Sequence, residues 1–267
     1  MNAASPYLLD NAQEQAAHRM RVLSRLFDPP TQRALTAAGI APGWDCLEVG
    51  GGGGAVARWM AERVGPGGTV LCTDLDPRHI DSAAPPNLRI VRHDIVRDAM
   101  PDTRFDLIHA RLVLMHIPER VAVLERLVGA LKPNGWLVIE DFDTLSTLAD
   151  PANYPHETQL AAVDAMRNYM IRGGVDARFG RRLYGRLREL ELESVSAEGR
   201  VFMFDSASGG AELMRVNFEQ IGGAMVAAGF ISDAQLQADV ARLQAEDFAM
   251  PSPILWTVAG RRSALGS

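Results

Sequence analysis

At 267 residues, 47% hydrophobic and 22% charged, the chain has the composition of a globular protein with one large core and room for a modest cap. That balance excludes wholesale disorder, and a net charge of −6 argues against the broad basic face that a nucleic acid would need. Positive charge is nearly all arginine, with Lys132 the only lysine. Residues 1–15 show no basic region followed by an apolar core, and no apolar run approaches the ~20 residues that span a bilayer. A soluble, cytoplasmic protein with no membrane partner is expected. Cys46 and Cys72 each sit among apolar residues and read as buried thiols of a reducing compartment.

Apolar spacing predicts a helix through Ala16, Met20, Leu23 and Leu26 that ends at Asp28-Pro29-Pro30, then a short helix over 31–38. From Asp45 short apolar strands alternate with helices: strand 45–49, helix 55–64, then strands 69–73, 87–92 and 105–110. Helix 118–131 and strand 136–140 follow. Pro118 and Glu119 suit the start of that helix, and Lys132-Pro133-Asn134-Gly135 stops it. Such alternation belongs to a mostly parallel sheet covered on both faces. After Asp143 helices are predicted at 157–171, 180–190, 211–228 and 232–245, the last with Ser232 and Gln235 spaced as a capping box. Strand-like pieces at 192–204 and 254–260 are expected to complete the sheet as a final antiparallel hairpin. The predicted fold is α/β: a Rossmann-like seven-stranded, mostly parallel sheet with an antiparallel C-terminal hairpin, plus a helical cap. Three regions are expected: an N-terminal helical lid (1–43), a cofactor-binding core (44–150), and a helical substrate cap with the completing strands (151–267).

Five consecutive glycines, Gly50 to Gly54, stand between the first strand and its helix. A glycine run cannot be the interior of either element, but it permits a tight turn and close backbone approach to a ligand. Strand, glycine turn and helix together form the start of a nucleotide-cofactor fold. Gly50-x-Gly52-x-x-Ala55 satisfies the dinucleotide fingerprint, so a nicotinamide cofactor is open at this point. A phosphate-binding P-loop is excluded, because no Gly-Lys-Ser/Thr follows. Glu48, two residues before the first glycine, would repel a pyrophosphate and welcome a cationic sulfonium or ammonium ligand. Asp74 closes the second strand, where an acid can accept hydrogen bonds from both ribose hydroxyls. Asp94 follows the third strand, placed to accept from an adenine amino group, with Leu75 and Ile95 as apolar neighbours that could sandwich the ring.

The run Glu48-Val49-Gly50-Gly51-Gly52-Gly53-Gly54 resembles the Glu/Asp-x-Gly-x-Gly-x-Gly signature of class I S-adenosylmethionine-dependent methyltransferases. Phe105-Asp106-Leu107-Ile108-His109-Ala110 is similar to their fourth-strand motif. Leu131-Lys132-Pro133-Asn134-Gly135-Trp136 resembles the turn before their fifth strand, with Asn134 in place of a glycine. The likeness covers residues 45–143, and the flanking parts more weakly resemble small-molecule methyltransferases of bacterial specialised metabolism. It implies S-adenosyl-L-methionine as cofactor, with Glu48, Gly50, Gly52 and Gly54 at the methionine moiety, Asp74 at the ribose and Asp94 at the adenine. It also implies that Ala110 and Arg111 line the methionine end, Arg111 able to pair with the cofactor carboxylate, and that Tyr7 belongs to a lid.

The implied activity is methyl transfer to O, N or C of a small, partly apolar acceptor, a specialised metabolite, with oxygen slightly preferred. The alternatives are an NAD(P)-dependent oxidoreductase and a non-methylating S-adenosylmethionine-binding protein on the same fold. His116 lies near where the acceptor would enter and is the candidate general base. His109, inside the fourth strand, reads as structural. Glu140, Asp141 and Asp143 read as crevice-edge or charge-steering acids, and no metal is expected. His156, Tyr169 and Arg172 are cap residues that could touch the acceptor. The arginines from Arg178 to Arg188 read as the wet side of a helix with Leu183, Leu187 and Leu190 as its apolar stripe. Met203, Met214 and Met225 read as flexible packing. The expected partner is a small-molecule acceptor, with no nucleic acid, and a homodimer stays open.

Overall fold

The computed structural model describes residues 15–80, 84–146 and 158–264. Its strands are β1 (Asp45–Val49), β2 (Thr69–Asp74), β3 (Leu88–Arg92), β4 (Phe105–Arg111), β5 (Leu131–Asp143), β6 (Glu193–Arg200), β7 (Met203–Asp205), β8 (Ala249–Pro251) and β9 (Ile254–Arg261). Its helices are α1 (Gln15–Ala37), α2 (Ala55–Val64), α3 (Arg120–Gly129), α4 (Ala161–Arg172), α5 (Phe179–Glu189), α6 (Gly209–Ala227) and α7 (Asp233–Arg242). Seven strands form one sheet in the order β3-β2-β1-β4-β5-β9-β6, while β7 and β8 pair in a separate ribbon. Neighbours from β3 through β5 run parallel, and β9 runs antiparallel to both β5 and β6. The seven-stranded, mostly parallel sheet is the expected one.

Alternation along the strands sorts side chains onto two faces. Cys46, Cys72, Leu107 and Val138 pack on one face with Leu35 of α1 and with Val56 and Met60 of α2. Leu47, Ile108, Leu137 and Ile139 pack on the other with Leu124 of α3 and with Phe179, Leu183 and Leu187 of α5. Each fully buried side chain of that α5 stripe contributes about 1.5–3 kcal/mol of burial. A third cluster joins Val22 and Phe27 of α1 to α4, α6 and α7. Both cysteines are buried free thiols, and burial pushes each well above its ordinary pKa. Among the described residues, no helix is long and apolar enough to cross a membrane.

Four expectations are corrected. The first two helices are one, because α1 continues through Pro29 and Pro30. Two prolines remove two helical N–H donors. Tertiary bonds at Asp28 and Thr31, on either side of the pair, hold the helix to the sheet. Strand five is longer at both ends than 136–140: it starts at Leu131, which pairs with Phe105 ahead of a register shift, and it extends to Asp143, since Asp141, Phe142 and Asp143 pair with Trp256, Leu255 and Ile254 of β9. The strand expected over 192–204 is two, as β6 ends at Arg200 and β7 leaves to pair with β8. Finally, β6 and β9 are antiparallel neighbours but not a hairpin, because α6, α7 and the ribbon intervene between them.

The smaller turn signals hold. Asn134 has φ +64, a left-handed conformation asparagine tolerates. Ser232 caps α7 by accepting from the Gln235 amide at 3.2 Å. The Gln235 side chain turns forward to Asp239 (3.0 Å) instead of back to complete the box.

Candidate active site

The glycine loop lies at the C-terminal edge of the sheet, where β1 hands over to α2. The amides of Gly50 and Gly51 both donate to the Thr73 carbonyl, at 2.8 and 3.0 Å, which folds the loop against β2. Gly50, Gly52 and Gly54 have φ of +69°, +55° and +77°. A Cβ at Gly50 would stand 2.4 Å from Val113 Cγ2, whereas a Cβ at Gly52 would meet nothing within 4 Å. The loop is therefore closed against the turn after β4 and open at Gly52.

Asp74 is 7% exposed and accepts from the amides of Gly52 and Asp76, each at 2.9 Å. Burial raises its pKa, opposed by those two hydrogen bonds. Beside it Leu75 is 46% exposed. Asp94 is turned onto its own loop, accepting from the amides of Val96 (2.9 Å) and Arg97 (3.3 Å). Ile95 is buried in the cluster of α3 and α5, so only Leu75 of the expected adenine pair presents an open apolar face.

Glu48 does not stand free at the loop. Its carboxylate is buried and meets His109 Nδ1 at 2.6 Å, and His109 Nε2 lies 3.4 Å from Glu140. Glu140 also accepts from Thr257 of β9 (2.5 Å) and from Thr31 of α1. Burial opposes charge on His109, yet the two carboxylates outweigh it and raise the imidazole to about 9. Burial likewise works against Glu140, but the hydrogen bond and charge of His109 bring it down to about 2. The acid treated as an uncompensated charge is thus half of an ion pair, because parallel register sets Glu48 of β1 opposite His109 of β4. His109 is fully buried inside β4 and belongs to a charged row that local sequence pattern does not show. An ionisable residue in mid-strand, flanked by strands carrying acids, is the signal that could have found it.

Ala110 is buried in the sheet, and Arg111 donates to Asp28 (2.7 Å) and Thr31 (2.8 Å) of α1. Those bonds occupy the guanidinium offered to a cofactor carboxylate. Glu140, Asp141 and Asp143 are buried and not crevice-edge acids, since the longer β5 places all three inside the sheet. Asp141 accepts from the Met115 amide at 3.3 Å, and burial holds its carboxyl well above the usual range. Asp143 pairs with Arg181 of α5. Among the described residues, no group of three or more His, Cys, Asp and Glu is placed to hold a metal ion.

Leu112 follows β4 with φ +55, and Leu114–His116 form one turn of 3-10 helix. A bulky residue held left-handed costs on the order of 1–3 kcal/mol and persists only where the surroundings impose it. His116 lies in this turn. Burial, then the charges of Arg19 and Arg120, push it down to about 3, so it stays neutral at physiological pH and is a weak base. Met115 faces a cavity of about 50 Å³ lined also by Met166, Met170, Met214, Met250 and Arg167.

Tyr169 and Arg172 pack on Phe230, at 5.7 and 5.6 Å, and neither lines this cavity. Tyr7 and His156 lie outside the described residues. The α5 arginines include Arg182 paired with Asp176 and Arg186 with Glu189, which supports a solvated, salt-bridged face over a basic groove. Met214 and Met225 are buried, whereas Met203 is 56% exposed and so is not packing.

Residues 12–191 match the methyltransferase-domain family. The chain belongs to the class I S-adenosylmethionine-dependent methyltransferase family. Methyltransferase str2 of Strobilurus tenacellus is 38% identical over 98 residues, 36% of this chain and 35% of that protein. Nocamycin O-methyltransferase of Saccharothrix syringae is 37% identical over 116 residues, 41% of each chain. The family chain thus spans well under two thirds of these curated relatives. Phosphoethanolamine N-methyltransferase 2 of Haemonchus contortus, solved with S-adenosyl-L-methionine, shares the fold with a TM-score of 0.62 at 15% identity, covering 98% of this chain and 61% of that one. The family match answers what the glycine run left open between a dinucleotide and an adenosyl cofactor.

Proposed function

We propose that this chain binds S-adenosyl-L-methionine across the glycine loop and transfers its methyl group to a small, apolar acceptor held in the methionine-lined cavity. One turn carries the reading. Val113 closes on Gly50 at the loop, and Met115, two residues on, lines the cavity, so a single short wall separates donor side from acceptor side. The residues present fit the cofactor: Gly52 opens outward, Asp74 offers a buried carboxylate, and Leu75 offers an exposed apolar face. On this reading residues 1–43 cover the loop, 44–150 hold the cofactor, and 151–267 supply the acceptor cap. A cytoplasmic setting agrees with the two free thiols.

When bound, the sulfonium supplies a methyl already activated for in-line displacement. The chain's own work is then alignment and exclusion of water, which contributes on the order of 7–11 kcal/mol in well-oriented systems. Sulfur-bearing side chains adapt to a flat or irregular acceptor. At about 50 Å³ the cavity is far smaller than the roughly 300–1,000 Å³ of a full ligand site, so those side chains must swing to admit one. Arg167, in the cavity lining, would favour an ionised phenol there, which needs no strong base. Oxygen of a phenol is therefore the preferred acceptor atom, ahead of an amine or an indole carbon.

Calorimetry with S-adenosylhomocysteine and with NADH tests the cofactor. Binding of the first alone is expected, and the reverse result removes the reading. Labelled donor offered with a phenol, an amine and an indole tests the transfer, and no labelled product from any acceptor would leave only a binding protein. Asp74→Ala should weaken S-adenosylhomocysteine binding about tenfold or more, because a charge-assisted hydrogen bond contributes roughly 1.5–3 kcal/mol. Unchanged affinity would take Asp74 out of the site. Met170→Trp should fill the cavity and lower kcat/KM for the acceptor by about a hundredfold through misplacement. S-adenosylhomocysteine affinity should not move in that variant; a shared loss would mean the cavity is not a separate acceptor site.

A further inference from the structure

Beneath the glycine loop, polar side chains cross four adjacent strands and end on a helix. The row begins at Glu48 of β1, passes to His109 of β4 (2.6 Å) and on to Glu140 of β5 (3.4 Å), where Thr257 of β9 also donates (2.5 Å). Thr31 of α1 donates to Glu140 and accepts from Arg111 (2.8 Å), which reaches Asp28 of α1 (2.7 Å). Glu48, His109, Glu140 and Thr31 are all buried. Replacing the whole of such a buried ion-pair set by apolar residues of similar volume is often neutral or stabilising, whereas removing one member is costly. The same face carries Leu107 and Val138 one step back along their strands.

The helix at the far end does more than cover the sheet. Toward its N-terminus α1 passes over the loop, where a Cβ at Gly53 would lie 3.6 Å from Met20 Cβ. Arg19, beside Met20, acts electrostatically on His116 in the turn that separates donor from acceptor side. Pinned at Asp28 and Thr31, α1 meets the loop at Met20, and the other end of the pin is the residue that leads into the glycines.

We propose that His109 is a positioning residue: through Glu48 on one side and Glu140 with Thr31 on the other, it couples the glycine loop to the docking of α1, so that cofactor binding and helix docking strengthen each other. The proposal rests on the cofactor reading above. By linkage the effect is reciprocal, and couplings of this kind change affinity by about 5- to 150-fold.

The test is S-adenosylhomocysteine affinity by calorimetry in Thr31→Val, Thr31→Ser, His109→Asn and the Thr31→Val/His109→Asn pair, with amide exchange followed across α1. The expected results are about tenfold weaker binding for Thr31→Val and wild-type binding for Thr31→Ser, which keeps the hydroxyl. The double variant should bind no more weakly than His109→Asn alone. Ligand should slow exchange in α1 of the unaltered chain and not in Thr31→Val. Wild-type affinity in Thr31→Val, even with a lower melting temperature, overturns the proposal, as does a double variant whose loss is the product of the single losses. Should His109→Asn fail to fold, the two Thr31 variants and the exchange data decide alone. An unaltered chain that binds no S-adenosylhomocysteine overturns the cofactor reading and the proposal together, whereas binding with no response at Thr31 overturns only the proposal.

Discussion

Replacing His109 with leucine is expected to lower folding stability by about 3–5 kcal/mol, the usual cost of removing one partner from a buried ion pair. The loss should exceed that of an ordinary strand substitution because two buried carboxylates, Glu48 and Glu140, would then lose the cation between them. The same contact gives the unaltered chain a defined pH response. His109 stands at about 9 in the folded chain against 6.5 when unperturbed. A raised folded value means that its contribution is full below about 6.5 and disappears as pH rises through 9. Glu140 has the opposite sign: at about 2 against 4.5, its contribution is present above 4.5 and is lost as pH falls through 2. Urea titrations at pH 6.5 and 9 should therefore show the folded state weakening toward the alkaline end, with a flatter dependence in His109→Leu. Equal midpoints at the two pH values would show that His109 is not held charged in the fold.

Adding one methyl group to the glycine loop should produce the second large effect, and its nature should depend on which glycine receives it. At Gly50 the new Cβ would be strained by φ +69 and would overlap Val113 Cγ2 at 2.4 Å. Left-handed strain of about 1–2 kcal/mol adds to overpacking of about 1–3 kcal/mol, so Gly50→Ala should lower both stability and cofactor affinity. At Gly52 only the strain applies, since no atom lies within 4 Å of the added carbon. Gly52→Ala should therefore melt within several degrees of the unaltered chain, while on the proposed reading S-adenosylhomocysteine binding falls at least about tenfold, because the methyl would then occupy the ligand's side of the loop. Retention of full affinity by Gly52→Ala would mean that the open side of the loop does not face the cofactor.

The boundaries of β1 and α2 were legible because both are set by short-range features: an apolar run that stops at glycine, and periodic apolar residues that resume at Ala55. The α5 stripe was legible for the same reason, with burial of Leu183 and Leu187 following their spacing. Errors arose where distant partners changed a local preference. Proline after Asp28 signals a helix end, but sheet contacts at Asp28 and Thr31 hold α1 continuous through it. Glu140, Asp141 and Asp143 resemble surface acids in the sequence, yet β9 lengthens β5 and buries them. His116 stands at the expected turn, but its basicity is set by burial and then by Arg19 from another element, which no local pattern reveals.

Within the chain itself the glycine loop, the sheet-forming alternation and the family signature were already present, because each depends on residues a few positions apart. The charged row was decided only by folding. Glu48 and His109 are 61 residues apart, and Thr31 and Glu140 are 109 apart. They meet because parallel register places one strand beside another and a helix docks across them. Register and docking are properties of the packed molecule, which is why the residues beneath the loop become intelligible only once the sheet is assembled.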